Sequence, residues 1–318
     1  MKKVKITTNF TNVPIKRQLP NLSSEWQNCK FYINEEITKC DFWFVYRDLE
    51  AIENVYCAPD NTYFITGEPT SVKIFKKEFL NQFGNIITSQ RNIEHSNVIY
   101  SQEGLPWLIG RKDNFILNYD NFNQNKIVDK KKLISVITSN KNITEGHRKR
   151  YEFVMRLKER FGENIDVFGR GINDIEDKID AIANYKYHIV IENSVYDDYW
   201  TEKLSDTLLV DTYPIYYGCK NIEKYFPLGS YTKIDIDDFE GSCETIKRVI
   251  DNNTYENSID KIEEAKQLIL NKYNLFAMIC DIVNSKSVYN NHTKKIILKP
   301  ELFYKKDVKS LIKRVFFS

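Results

Sequence analysis

The stretch YKYHIVIENSVYDDYWTEKLSDTLLVDTYPIYYGCKNIEKYF (185–226) changes its local pattern three times. YHIVIEN (187–193) is β-branched and aromatic, then stops on polar side chains, as a buried strand does where it opens into a loop. TEKLSDTLL (201–209) reads as a helix with Thr201 as its N-cap, and YPIYYG (213–218) as a strand again. Outward from here the alternation continues. KLISVITSN (132–140) is an apolar strand, and the helix behind it sets Tyr151, Val154, Leu157 and Phe161 on one face. NIDVFG (164–169) is a strand and IEDKIDAIANY (175–185) a helix; NIEKYF (221–226), YTKIDI (231–236) and CETIKRVID (243–251) carry the pattern on. Strands alternating with helices imply βαβ units and a parallel sheet covered on both faces. The fold class expected is therefore α/β, with a doubly wound, Rossmann-like domain.

Upstream, VKITTNF (4–10), DFWFVYR (41–47), TYFITG (62–67) and NVIYS (97–101) read as strands, and VKIFKKEFLNQF (72–83) as helix-compatible. The chain turns polar from Tyr119 to Lys132, which reads as a linker. The expected organisation is an N-terminal domain over 1–128, a C-terminal domain over 129–290 and a tail over 291–318. In the tail, LFYKKDVKSLIKRVFF (302–317) predicts an amphipathic helix with Lys306, Lys309 and Lys313 on its polar side. Such a helix either touches an anionic membrane surface or packs its apolar face across the domains.

A length of 318 residues fits two domains, and 46 basic against 44 acidic residues give a net charge of +2. That balance, with basic runs at 129–132 and 147–150 that lack interleaved aromatics, argues against a nucleic-acid partner. Six scattered cysteines form no CxxC pair, which predicts reduced thiols rather than zinc or disulfides. No apolar run reaches the length of a membrane span, and no h-region follows Met1-Lys2-Lys3. The expectation is a soluble, cytoplasmic protein.

Ligands of open α/β sheets bind at the carboxyl ends of the strands. Three loops expected there are rich in polar groups: Ser139-Asn140 through Arg150, Glu192-Asn193-Ser194, and Asp198-Tyr199-Trp200-Thr201-Glu202-Lys203. Lys203 in the first helical turn opposes the helix dipole. It reads either as half of a diphosphate clamp with Arg150, or as a surface pair with Glu202. The acidic pairs at Asp197-Asp198 and Asp235 to Asp238 read as turn formers, so no metal is expected. His95, His147, His188 and His292 form no ligand-spaced pair, with His188 expected to pack at the floor of the site. Gly169-Arg170-Gly171 lacks the third glycine of a dinucleotide fingerprint and reads as a turn. Trp107 reads as core or as a stacking face for an acceptor sugar.

Residues 185–226 resemble the donor-binding motif of the family 10 fucosyltransferases: an aromatic-rich strand, ENS, a DY[IVW]TEKL block and a P[IV]xxG strand end. Arg150 at a helix start, DVFGR (166–170) and FITGEP (64–69) are similar to that family too. Trp200 stands where Ile or Val is usual, which bears on the size of the sugar pocket. The resemblance implies a GT-B fold, with two Rossmann-like domains and a cleft between them. It implies Arg150 and Lys203 on the diphosphate and Glu202 on the ribose, with Ser139, Asn140, Glu192, Asn193 and Tyr199 in the donor pocket. Glu68 matches the acceptor-activating base reached across the cleft.

The activity implied is transfer of fucose from GDP-fucose to a glycan hydroxyl, in an α1,3 or α1,4 linkage to N-acetylglucosamine. A lipopolysaccharide or capsule intermediate is the expected acceptor. No cofactor is required, because Arg and Lys can stabilise the leaving diphosphate. One candidate base and no second carboxylate nucleophile point to inversion. The alternatives are the same fold with another nucleotide sugar, and a nucleotide- or glycan-binding protein without turnover.

Overall fold

The computed structural model describes residues 1–112, 115–126, 129–139, 145–286 and 293–305. They form two compact units. The first comprises Met1–Lys16, Ser23–Gly104 and the chain from Leu275 on; the second comprises Arg17–Leu22 and Leu105–Asn274.

The first unit holds strands β1 (Lys2–Thr8), β2 (Glu25–Trp26), β3 (Cys29–Ile33), β4 (Phe42–Tyr46), β5 (Glu53–Cys57), β6 (Thr62–Ile65), β7 (Asn85–Thr88) and β8 (Val98–Tyr100). Its main sheet runs β2-β3-β1-β4-β6-β7-β8, with only β2 antiparallel to its neighbour. All five residues of β4 are buried, as expected of a central parallel strand covered on both faces. On one face Trp43, Val45, Phe64, Phe79, Phe83 and Ile86 share a cluster. On the other, Phe44 and Tyr63 stack at 4.5 Å. Within 72–83 only the single turn α1 (Lys77–Leu80) is helical, and Val72 and Ile74 stay exposed.

The second unit begins with a small hairpin, β9 (Arg111–Lys112) and β10 (Phe115–Ile116), and α2 (Tyr119–Gln124). The stretch expected as linker thus contains a helix. A capping box between Asn118 and Asn121 starts it, and Tyr119 and Phe122 bury its apolar side. The sheet follows: β11 (Lys132–Ile137), α3 (Glu145–Phe161), β12 (Ile165–Phe168), α4 (Lys178–Ile182), β13 (Tyr185–Ile191), α5 (Glu202–Leu209), β14 (Tyr213–Tyr217) and β15 (Thr232–Lys233). Helices α6 (Phe239–Asp251), α7 (Thr254–Asn257) and α8 (Ile259–Leu268) complete the unit. The strand order is β12-β11-β13-β14-β15, parallel throughout. The order reverses between β11 and β13.

The chain then returns to the first unit with α9 (Leu275–Ser285), where Phe276 meets Phe31 edge-on at 5.0 Å, and β16 (Lys294–Leu298), antiparallel to β5. The expected boundaries therefore shift at both ends. The described residues of 105–126 do not belong to the N-terminal body: Leu108 N donates to Asp206 at 3.0 Å and Tyr119 OH to Asn271 at 2.6 Å, tying them to the second unit. Residues 275–286 leave the second unit, and Lys2 Nζ holds Val283 O at 2.6 Å. The expected amphipathic tail begins instead with the turn Glu301–Tyr304, and its residues from 306 on lie outside the described residues. All six cysteines are buried and unbridged.

Candidate active site

The reversal of strand order opens a crevice at the carboxyl ends of β11 and β13, where a doubly wound sheet takes its ligand. A cavity of about 170 Å³ lies there, within the second unit. Ile137, Thr138 and Ser139 line it from the end of β11, Gly169 and Arg170 from the end of β12, and His188 to Ile191 from β13. Arg150 of α3, Lys178 of α4, and Glu202 and Lys203 of α5 bring charge to it.

Each charged group arrives by a local structural rule. Arg150 lies on the buried face of α3 with Phe153, Val154 and Leu157; this face is turned from the expected one, leaving Tyr151 and Phe161 half-buried. Thr201 caps α5, accepting from Lys203 N. Its own N–H and hydroxyl meet Glu192, at 2.8 Å from Oε1 and 2.7 Å from Oε2 respectively. Lys203 Nζ completes the arrangement at 3.1 Å from Glu192 Oε2. A cation in the first turn of a helix thus has a structural partner, a carboxylate with no exposed side-chain surface. Gly218 makes room for it, since a Cβ there would stand 2.5 Å from Glu192 Cγ.

Lys178, just inside the Asp177 cap of α4, reaches Asp206 at 2.8 Å and Glu202 at 3.5 Å. Burial works against its charge, but the two carboxylates prevail and push its pKa up to about 12. Burial likewise opposes ionisation of Glu202, and Lys203 with Lys178 overcome it and draw the carboxyl down to about 2. Glu202 is therefore a fixed anion that only accepts hydrogen bonds. His188, bonded to Ser135 Oγ at 2.8 Å, is driven down to about 3 by burial, with Lys178 adding to the effect, and it is a neutral floor.

Arg150 differs from both lysines. Its residue is 8 % exposed, and Nη1 donates to Asn193 Oδ1 at 2.7 Å. Nε is buried with no hydrogen-bond partner, and among the described residues no carboxylate forms an ion pair with this guanidinium. Burial lowers its pKa. A buried cation with a free donor beside a cavity is arranged for an anion that arrives from outside.

Comparison with known proteins gives the family. A model described as glycosyltransferase family 10 (fucosyltransferase) C-term matches residues 127–291, just over half of the chain. The chain belongs to glycosyltransferase family 10. The 4-galactosyl-N-acetylglucosaminide 3-alpha-L-fucosyltransferase 9 of Mus musculus is 31% identical over 126 residues, covering 38% of this chain and 33% of the relative. GDP-fucose protein O-fucosyltransferase 3 of Danio rerio is 43% identical over 54 residues, 17% of this chain and 12% of the relative. The matches to these curated relatives thus span a third of their length or less. A crystal structure of an alpha1,3-fucosyltransferase aligns with TM-score 0.52 at 17% identity, over 91% of each chain. That likeness concerns the fold, a GT-B type with two parallel-sheet units.

Of the residues read as the family 10 donor site, Ser139, Arg150, Glu202 and Lys203 line one cavity. Asn193 holds Arg150, and Glu192 stands behind the cavity as the support of Thr201 and Lys203. Tyr199 is buried against Tyr196, their ring centroids 4.9 Å apart, and is not in the lining. Asn140 lies outside the described residues. Trp200 is buried against Tyr225, Phe226 and Tyr273 and is not among the residues that line this cavity. Trp107 offers no stacking face to a sugar, being 1 % exposed and edge-on to Phe122 at 5.7 Å.

Lys178, Thr138 and Arg170 were not expected in a family 10 site from sequence. The one signal for Lys178 was an Asp-Lys step at a helix start, and the DVFGR likeness pointed at Arg170 without giving it a task.

Glu68 belongs to the first unit, in the loop leaving β6 at the carboxyl edge of that sheet. It is half-buried and forms an ion pair with Arg47, which follows β4 and lies over the Phe10 ring at 4.6 Å.

Proposed function

We propose that the chain transfers fucose from GDP-fucose to a glycan hydroxyl with inversion at the anomeric carbon. The observation that carries the reading is Arg150, a nearly buried guanidinium with an unpartnered Nε at the switch-point cavity. Arg150 and Lys203 take the diphosphate, and the permanently ionised Glu202 accepts from the ribose hydroxyls. The acceptor oxygen attacks the anomeric carbon as the bond to the β-phosphate oxygen breaks. The electron pair leaves with GDP, whose new charge the two cations stabilise. Glu68 takes the hydroxyl proton, general-base help worth typically 10²–10⁴-fold. The names of the relatives support GDP-fucose as donor and an N-acetylglucosaminide as acceptor in α1,3 linkage.

A thermal-shift series with GDP, GDP-fucose, GDP-mannose, UDP-galactose and CMP-sialic acid, followed by transfer assays on Glu68→Ala, tests this. Stabilisation by GDP and GDP-fucose is expected, since a ligand of the folded state raises its melting temperature. Glu68→Ala should keep that shift and lose transfer by 10²-fold or more. A response confined to UDP or CMP sugars would overturn the donor, and transfer undiminished in Glu68→Ala would overturn the base.

A further inference from the structure

The first unit buries a carboxylate that the proposed chemistry leaves idle. Glu103 is 3 % exposed, and no ion pair reaches it among the described residues. Its Oε1 accepts from Thr66 Oγ1 at 2.7 Å, from Ser89 N at 2.9 Å and from Ser89 Oγ at 2.9 Å. The Gly67 N–H donates to the same carboxyl group. An ion taken out of water without a counter-charge costs several kcal/mol unless its acceptors are filled. Here hydrogen-bond donors from two separate loops fill them.

Those loops lead to Glu68 from both sides. Gly67 immediately precedes it, with φ at +68° and its Cα so close to Arg47 that a Cβ would come within 2.6 Å of Cγ. Ser89 precedes Gln90, whose Nε2 donates to Glu68 O at 2.7 Å and to Lys73 O at 3.1 Å. Thr66, just past β6, and Thr88, the last residue of β7, share a hydroxyl hydrogen bond of 2.8 Å. Glu103 therefore ties the exit of β6 to the exit of β7, and the residue released at that junction is Glu68.

We propose that Glu103 is a positioning residue for the transfer reaction: its buried carboxylate locks the 66–68 loop to the 88–90 loop and so aims the Glu68 carboxylate at the acceptor hydroxyl. This rests on Glu68 as the base. Glu103 touches no reactant, so its effect runs through the rate and not through donor binding.

The test is Glu103→Gln in the full chain, which keeps the shape but removes the charge and turns one of the two acceptor oxygens into a donor. A kcat at least tenfold lower is expected, with the GDP-induced thermal shift unchanged. In a Glu68→Gln background the same substitution should slow the residual rate no further, because residues acting through one another are non-additive. Glu103→Asp, which restores the charge, should recover part of the rate. A kcat within twofold of the parent, a parallel loss of the GDP shift, or an equal further loss in the Glu68→Gln background would each overturn the proposal. If Glu103→Gln does not fold, Thr66→Val and Ser89→Ala remove one donor each. Both should lower kcat threefold or more with the GDP shift intact, and unchanged rates in both would overturn the idea. Full activity in Glu68→Gln would remove the base itself, an outcome distinct from full activity in Glu103→Gln with Glu68→Gln inactive.

Discussion

Arg150 and Lys203 have the same sign and line the same cavity, yet their removal should read differently. Lys203 neutralises the fully buried Glu192 at 3.1 Å. Lys203→Met strands that carboxylate, and breaking such a pair is expected to destabilise the fold by about 2–4 kcal/mol. Among the described residues Arg150 forms no ion pair with a carboxylate, and burial lowers its pKa against the weaker pull of Glu192 and Glu202. Arg150→Met should therefore leave the melting temperature of the unliganded protein unchanged or slightly raised, while abolishing the shift produced by GDP. Melting curves of both variants with and without GDP decide it, and a large loss of stability in Arg150→Met would refute the assignment. At this scale the sequence was legible where polar residues follow one another after an apolar run, as in Glu192-Asn193 and Thr201-Glu202-Lys203. It was silent on which of them line the cavity. Glu192 and Tyr199 look as available as Glu202 in one dimension, and only packing turns the first to Thr201 and the second to Tyr196.

Elements deliver these groups only if strand ends stop in register. β11 and β12 end side by side, Thr138 N donating to Phe168 O at 2.8 Å, and Gly169 then crosses against Thr138. A Cβ on Gly169 would sit 1.6 Å from Thr138 O, at a φ of +128°. Gly169→Ala must push the two strand ends apart, at a cost of about 2–5 kcal/mol from backbone strain and overpacking together. Thr138, Ser139 and Arg170 line the cavity on either side, so GDP should give a reduced shift in any folded fraction. Parent-like melting and GDP response would show that the glycine is dispensable. Long strands and helices with unbroken apolar periodicity, such as β11, β13, β14 and α5, were legible because local pattern and burial agree. α2 was not, since an Asn–Asn capping box and a largely polar surface look like a loop. The pairing of β5 with β16 joins Val55 to Ile296, a separation at which no local pattern carries information.

Across the whole molecule the two sheets repeat one order, in which the first parallel strand lies between the second and the third, and each puts polar groups at its carboxyl edge. His188 and Glu202 of the second unit are shifted down, whereas Glu103 of the first is shifted up. In the second unit His188 lies near 3 instead of 6.5, so the folded imidazole refuses a proton that the unfolded chain accepts. Stability from this source is intact above 6.5 and is lost as pH falls toward 3. Glu202 acts with the same sign but lower, between its ordinary 4.5 and about 2. Asp206, which burial pushes upward, acts against them from its ordinary 3.8 upward. In the first unit burial raises Glu103, so its folded carboxyl takes up a proton more readily than the unfolded one, and stability from this group grows as pH falls. Between pH 7 and pH 5 the second unit should lose about 2 kcal/mol through His188, since pH 5 lies 1.5 below 6.5. Differential scanning calorimetry at the two pH values should show the second unit's transition falling further than the first's. His188→Gln, which cannot titrate, should lessen that fall by several degrees. An identical pH dependence in parent and variant would mean that His188 accepts a proton in the fold, and that the floor of the cavity is wetter than its burial implies.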